Sequence, residues 1–190
     1  AQRDLYFSQH GNYAIHDYYY AKDNGFFPSD YRVWWGYEDN KLFEYAKKEL
    51  KELSAKDEPF NFTMLTADTH FFNGWLCEDC DIIYPDQYSN VIRCSSHKVN
   101  EFVKWIQKQG FYKDTTIVIA GDHLTMDEEW ALQQFGNEYE RKAYYTIINS
   151  AAEKQTEKDR VFVAQDFYPT TLTALGIKYE GDRVGLGTDL

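Results

Sequence analysis

The chain has 190 residues, enough to bury one sizeable core, and 18% of them are aromatic, with 16 Tyr and 13 Phe. A formal net charge of −11 excludes nucleic acid as a partner and electrostatic adhesion to an anionic membrane surface, and it leaves any anionic substrate in need of a local cation. No apolar run approaches the roughly 18 residues of a membrane span, and no signal-peptide pattern opens the chain.

Taken in order, Leu5-Tyr6-Phe7 reads as a short strand running into a turn at His10-Gly-Asn-Tyr13. Tyr18, Tyr19 and Tyr20 read as a packing surface under a long loop. Asp39 caps a helix with Leu42, Phe43, Ala46, Leu50 and Leu53 on one face and lysines on the other. After Pro59, residues 62–67 read as a buried strand that stops at Asp68-Thr-His70. Residues 71–90 form a long loop, a feature more often functional than not. A helix follows with Val99, Phe102, Val103 and Ile106 at helical spacing, ended by Gly110.

Next comes Thr115-Thr-Ile-Val-Ile-Ala-Gly-Asp-His123, a β-branched run that reads as a strand buried on both faces of a mostly parallel sheet. In such sheets ligand groups gather beyond the carboxyl ends of strands, which is where Asp122 and His123 fall. Carboxylate and imidazole together suit a divalent metal. Asp122 reads equally as a turn or helix cap, and His123 and His70 as loop histidines bonded to backbone. Residues 127–135 predict a short helix with an acidic first turn, and residues 143–148 a further strand. Residues 150–160 read as a surface loop, and Asp166 caps a last helix stopped by Gly176. The glycine-rich tail lacks the strand–turn–helix context of a phosphate-cradling loop.

Three cysteines leave three readings open: a disulfide, a zinc set and free thiols. Cys77, Cys80 and Cys94 can form a disulfide, the first reading, or join His97 in a C-x2-C-x13-C-x2-H zinc set, which would make the chain a non-catalytic zinc-binding module.

Several segments together resemble one family. These are Asn61-Phe-Thr-Met-Leu-Thr-Ala-Asp-Thr-His-Phe71, Phe111-Tyr-Lys-Asp-Thr-Thr-Ile-Val-Ile-Ala-Gly-Asp-His123, Asp166-Phe-Tyr-Pro-Thr-Thr-Leu-Thr-Ala-Leu-Gly-Ile177 and Gly185-Leu-Gly-Thr-Asp-Leu190. His10-Gly11 and Trp35-Gly36-Tyr-Glu-Asp39 match more weakly. The pattern resembles lipoteichoic acid synthases and related phosphoglycerol transferases of the sulfatase and alkaline phosphatase superfamily. The resemblance implies an α/β fold with a mostly parallel sheet flanked by helices, residues 1–190 forming the C-terminal portion of an extracellular catalytic domain. It also implies a parent protein anchored upstream in the bacterial cell membrane, with its catalytic domain on the outer face. Asp122 and His123 become metal ligands, for manganese first and magnesium or zinc as alternatives, and His70 a contact to the substrate phosphate. The family's nucleophilic Thr and a metal-binding Glu are expected upstream, which leaves the 190-residue chain without activity of its own. The implied reaction moves a phosphoglycerol group from a phosphatidylglycerol-like donor through a covalent Thr intermediate. A sulfatase or phosphodiesterase-type hydrolase of the same superfamily is the alternative, although no sulfatase-type Cys-x-Pro-x-Arg occurs. The family's substrate-binding Arg also has no counterpart, since that region reads Ala14-Ile-His-Asp-Tyr18.

Overall fold

Helical periodicity decides the two longest helices of the chain. The computed structural model describes residues 3–153 and 161–190, so residues 154–160 of the expected surface loop lie outside the described residues. Two compact units emerge, Ala1–Phe102 and Val103–Leu190.

In the first unit, α1 (Arg3–Gln9) replaces the strand expected at Leu5-Tyr6-Phe7. Among the described residues no neighbouring strand offers backbone partners there, and a helix satisfies its own. A short α2 (Tyr18–Asp23) is capped by the Asp17 carboxylate, which accepts from the Tyr20 amide at 2.8 Å. The helix expected from Asp39 is α3 (Asp39–Ser54), and it buries Phe43, Ala46 and Leu50. The helix expected around Val99–Ile106 is longer, α4 (Gln87–Gln107), and it takes over the end of the predicted loop. Tyr88, Val91, Cys94 and Phe102 on α4 are buried, and the Phe43 and Phe102 rings meet at 5.1 Å. Residues 62–67 run without strand pairing, because no strand among the described residues lies alongside to take their backbone groups.

In the second unit, a 3-10 turn (Gly110–Asp114) leads into β1 (Ile117–Ala120). A second helix, α5 (Glu128–Phe135), precedes β2 (Tyr145–Ile148). The two strands pair antiparallel, Ile117 opposite Ile148 and Ala120 opposite Tyr145. A parallel neighbour needs a crossover that returns the chain to the start of the first strand. Here β2 begins beside Ala120, where β1 finishes, so it must run back. The strand predicted to be buried on both faces alternates instead, with Val118 39% exposed. The mostly parallel sheet is therefore not formed among the described residues, whose ladders are both two-stranded and antiparallel.

The chain ends in α6 (Phe167–Ala174) and a hairpin of β3 (Arg183–Val184) and β4 (Gly187–Thr188). Asp166, expected to cap α6, instead clamps flanking segments. One carboxylate oxygen accepts from the Val163 amide at 2.9 Å and the other from the Thr188 amide at 2.8 Å. These two backbone donors hold its carboxyl below the usual carboxylate range. No helix among the described residues is long and apolar enough to cross a membrane.

Candidate functional site

The end of β1 presents the acid and imidazole that the sequence singles out. The Gly121 amide donates to the Tyr144 carbonyl at 2.8 Å, extending the ladder one residue before the chain leaves it. The loop beyond is tied at its far side. Arg141 donates to the Thr125 carbonyl at 3.1 Å, and Asp127 caps α5 by accepting from the Trp130 amide at 3.0 Å. Between these ties Asp122 and His123 stand about half exposed, with His123 Nε2 3.6 Å from Asp122 Oδ2.

His123 Nδ1 lies 2.6 Å from the Leu124 carbonyl, which can only accept, so Nδ1 carries a hydrogen and, in the neutral ring, Nε2 holds the lone pair. A backbone carbonyl holding the second ring nitrogen is the usual support of a metal-binding imidazole. With metal–ligand bonds of about 2.0–2.2 Å, two donor atoms 3.6 Å apart can reach one ion. The pair therefore fits a divalent cation, with Asp122 supplying a hard oxygen. Among the described residues no third His, Cys, Asp or Glu joins it; the group of three that could share an ion is Cys77, Asp79 and Cys80, with donor atoms within 4.8 Å.

That second group does not make the zinc set considered from sequence. Cys80 and Cys94 are bonded to each other, which removes two of the four thiolates and imidazoles that Cys77, Cys80, Cys94 and His97 would supply. His97 is exposed on α4 and lies outside the group. The remaining thiol, Cys77, is buried and donates to Asp68 Oδ2 at 3.0 Å. Burial and that hydrogen bond push the thiol up to about 12, so it is a proton donor with no thiolate character near neutral pH.

His70 belongs to the first unit, on the turn after residues 62–67. Its amide donates to the Ala67 carbonyl at 3.0 Å, and its ring lies 4.7 Å from that of Trp35. Nδ1 sits 2.5 Å from the Phe71 carbonyl, which leaves Nε2 as the outward nitrogen. Nε2 accepts a hydroxyl proton in the neutral ring and donates to an anion in the protonated ring. Trp35, 61% exposed, offers an aromatic face beside it.

Sequence reasoning missed the carboxylate pair under this turn. Asp39 reads as a helix cap and Asp68 as a polar strand stop, yet both are buried, 1% and 3% exposed. Asp39 accepts from the Ala67 amide at 2.8 Å and the Asp68 amide at 3.1 Å, while Asp68 accepts from the Asp39 amide at 3.1 Å. Burial and then the neighbouring Asp68 push the Asp39 carboxyl up to about 6. Burial likewise raises the Asp68 carboxyl. Lys98, whose charge counters that of both carboxylates, pairs with Asp79 at 3.2 Å.

Comparison with known proteins gives a consistent result. The sulfatase family profile matches residues 5–177. A phosphoglycerol transferase I of Citrobacter koseri is 27% identical over 98% of this chain and 24% of its own length. One from Xanthomonas axonopodis is 33% identical over 68% of this chain and 19% of its own length. The match to the Salmonella paratyphi B protein of the same name is 27% identical over 98% of the chain. The chain thus spans about a quarter or less of the curated relatives it matches. No solved structure matches it.

Proposed function

The chain belongs to the sulfatase family, within its phosphoglycerol transferases, and from that premise we propose that it is part of a metal-dependent enzyme moving a phosphoglycerol group from a phosphatidylglycerol-like donor to an acceptor hydroxyl. The observation that carries the reading is the pair at the end of β1. Asp122 Oδ2 and His123 Nε2 lie 3.6 Å apart, and His123 is held in the tautomer that binds a cation.

In this reading Asp122 and His123 hold a divalent ion, manganese in preference to magnesium or zinc, with further ligands from outside this chain. A divalent ion in that position supplies positive charge to the phosphoryl oxygens and acidifies a nucleophilic hydroxyl. The nucleophile is a threonine outside this chain. Its oxygen bonds to phosphorus, diacylglycerol leaves with the proton, and an acceptor hydroxyl later displaces the threonine. His70 steadies the phosphate when its ring is protonated, or a glycerol hydroxyl when neutral, in both cases through Nε2. In the complete domain a mostly parallel sheet is finished by strands outside this chain.

Several observations support the setting. The net charge of −11 leaves an anionic donor dependent on a bound cation. The Cys80–Cys94 disulfide suits the oxidising outer face of a bacterial membrane. The test uses the full-length protein with manganese and phosphatidylglycerol, following diacylglycerol release. His123→Ala and Asp122→Asn each lower the rate at least about 100-fold, the effect of losing several kcal/mol of charge stabilisation. Unchanged release in both variants would refute the metal assignment. Cleavage of a sulfate ester with phosphatidylglycerol left intact would move the protein to the hydrolases.

A further inference from the structure

We infer that Asp39 and Asp68 are positioning residues that fix the His70 turn through a reciprocal carboxylate–amide clasp. The inference rests on the reading of His70 as the phosphate contact and adds the device that holds it.

All four carboxylate oxygens are engaged. Asp39 Oδ1 and Oδ2 take the amides of Ala67 and Asp68, and Asp68 Oδ1 and Oδ2 take the Asp39 amide and the Cys77 thiol. Two carboxylates buried side by side are costly, and apolar residues of similar volume would stabilise a core at least as well. What apolar contacts cannot do is set hydrogen-bond register. The clasp joins the first residue of α3 to the two residues that open the His70 turn, 28 and 29 positions away.

Other bonds converge on residues 67–69. Trp34 Nε1 donates to the Ala67 carbonyl at 2.9 Å, and Tyr88 donates to the Thr69 carbonyl at 2.9 Å. The Trp75 amide takes the Asp68 carbonyl at 2.7 Å. Trp34 makes its contact from a left-handed backbone, φ +50°, which a bulky residue holds only where its surroundings impose it. Gly74, φ +63°, lies so close that a Cβ would fall 2.5 Å from the Asp68 carbonyl oxygen. From 67 to 69 each carbonyl is therefore spoken for, and so are the amides of Ala67, Asp68 and His70. That is the fixed backbone a substrate-binding side chain needs, because a displacement of about 1 Å costs on the order of 100-fold in rate.

The test is a double-mutant cycle in the full-length protein, reading kcat/KM for diacylglycerol release from phosphatidylglycerol, with thermal melts to normalise for folded protein. Asn at position 39 accepts one amide and turns an NH2 toward the other, so half the grip is lost. Asp39→Asn lowers kcat/KM about 10- to 100-fold, His70→Ala about 100-fold or more, and the double variant no further than His70→Ala alone. A structural residue acting on the whole fold would lower activity further in the His70→Ala background; additive losses overturn the proposal, as does wild-type activity in Asp39→Asn. If His70→Ala itself is harmless, the assignment of His70 fails and the proposal with it. Where Asp39→Asn melts too low to assay, Asp68→Asn carries the same cycle, since it loses the acceptor for Cys77.

Discussion

Asp39 carries a charge whose cost depends on pH. Its carboxyl rises from 3.8 to about 6, chiefly through burial and then through Asp68, while the amides of Ala67 and Asp68 and the ammonium of Lys98 pull it back. A carboxyl raised on folding binds its proton more tightly in the native state, so stability falls as pH climbs between the two values. From about pH 4 to pH 6.5 the wild type loses on the order of 1–3 kcal/mol relative to Asp39→Asn, which stays neutral throughout. Urea unfolding across that range measures the difference, and a flat difference would mean that the backbone donors fully offset burial. The sequence singled out Asp122 and His123 as candidates because they are adjacent and follow a strand-like run, and the family resemblance gave them a role. It hid the clasp, since an Asp at a helix start already has a sufficient local explanation and its true partners are 28 and 29 residues away.

At the scale of elements, the carboxyl-terminal hairpin depends on a missing side chain. A Cβ on Gly187 would fall 2.0 Å from the Gln165 carbonyl oxygen and 3.0 Å from Pro169 Cδ, so backbone would have to move. Gly187→Ala costs about 1–3 kcal/mol or more by overpacking, and amide exchange speeds up at Thr188, whose N–H is held by Asp166. Gly185, at φ +63° with nothing within 4 Å, supplies the contrast. Gly185→Ala pays only the left-handed backbone, about 1 kcal/mol. Equal effects of the two substitutions would refute the steric account. The helices with clear apolar periodicity or capping signals were the readable ones, so α3, α5 and α6 fall close to their predicted places, whereas the short α1 and α2 were not foreseen. Strands depend on neighbours that periodicity does not name. β1 and β2 were found but paired in the opposite sense, and Ala67, at the end of residues 62–67, takes the side chains of Asp39 and Trp34 as partners where a sheet neighbour was expected.

For the whole molecule, the decisive quantity is how many ligands the chain brings to the proposed cation. With a net charge of −11 it concentrates cations in general, yet Asp122 and His123 are joined by no third His, Cys, Asp or Glu among the described residues. Two ligands of the four or more that a divalent ion takes give millimolar affinity at best. A ligand at its own dissociation constant stabilises by RT ln 2, about 0.4 kcal/mol, and 1 kcal/mol moves the melting point of a chain this size by about 2–4 °C. Manganese at 1 mM therefore raises the melting point of the 190-residue chain by less than about 2 °C, and His123→Ala removes even that. If the proposed site is completed in the full-length protein, manganese at a thousandfold excess over Kd contributes about 4 kcal/mol there. Chelator then lowers its melting point by many degrees while leaving the 190-residue chain unmoved. The contrast between the two melts separates a half-built site from an absent one: a full-length protein indifferent to manganese would dismiss the ion, and a large shift in the short chain would mean that it completes the site alone.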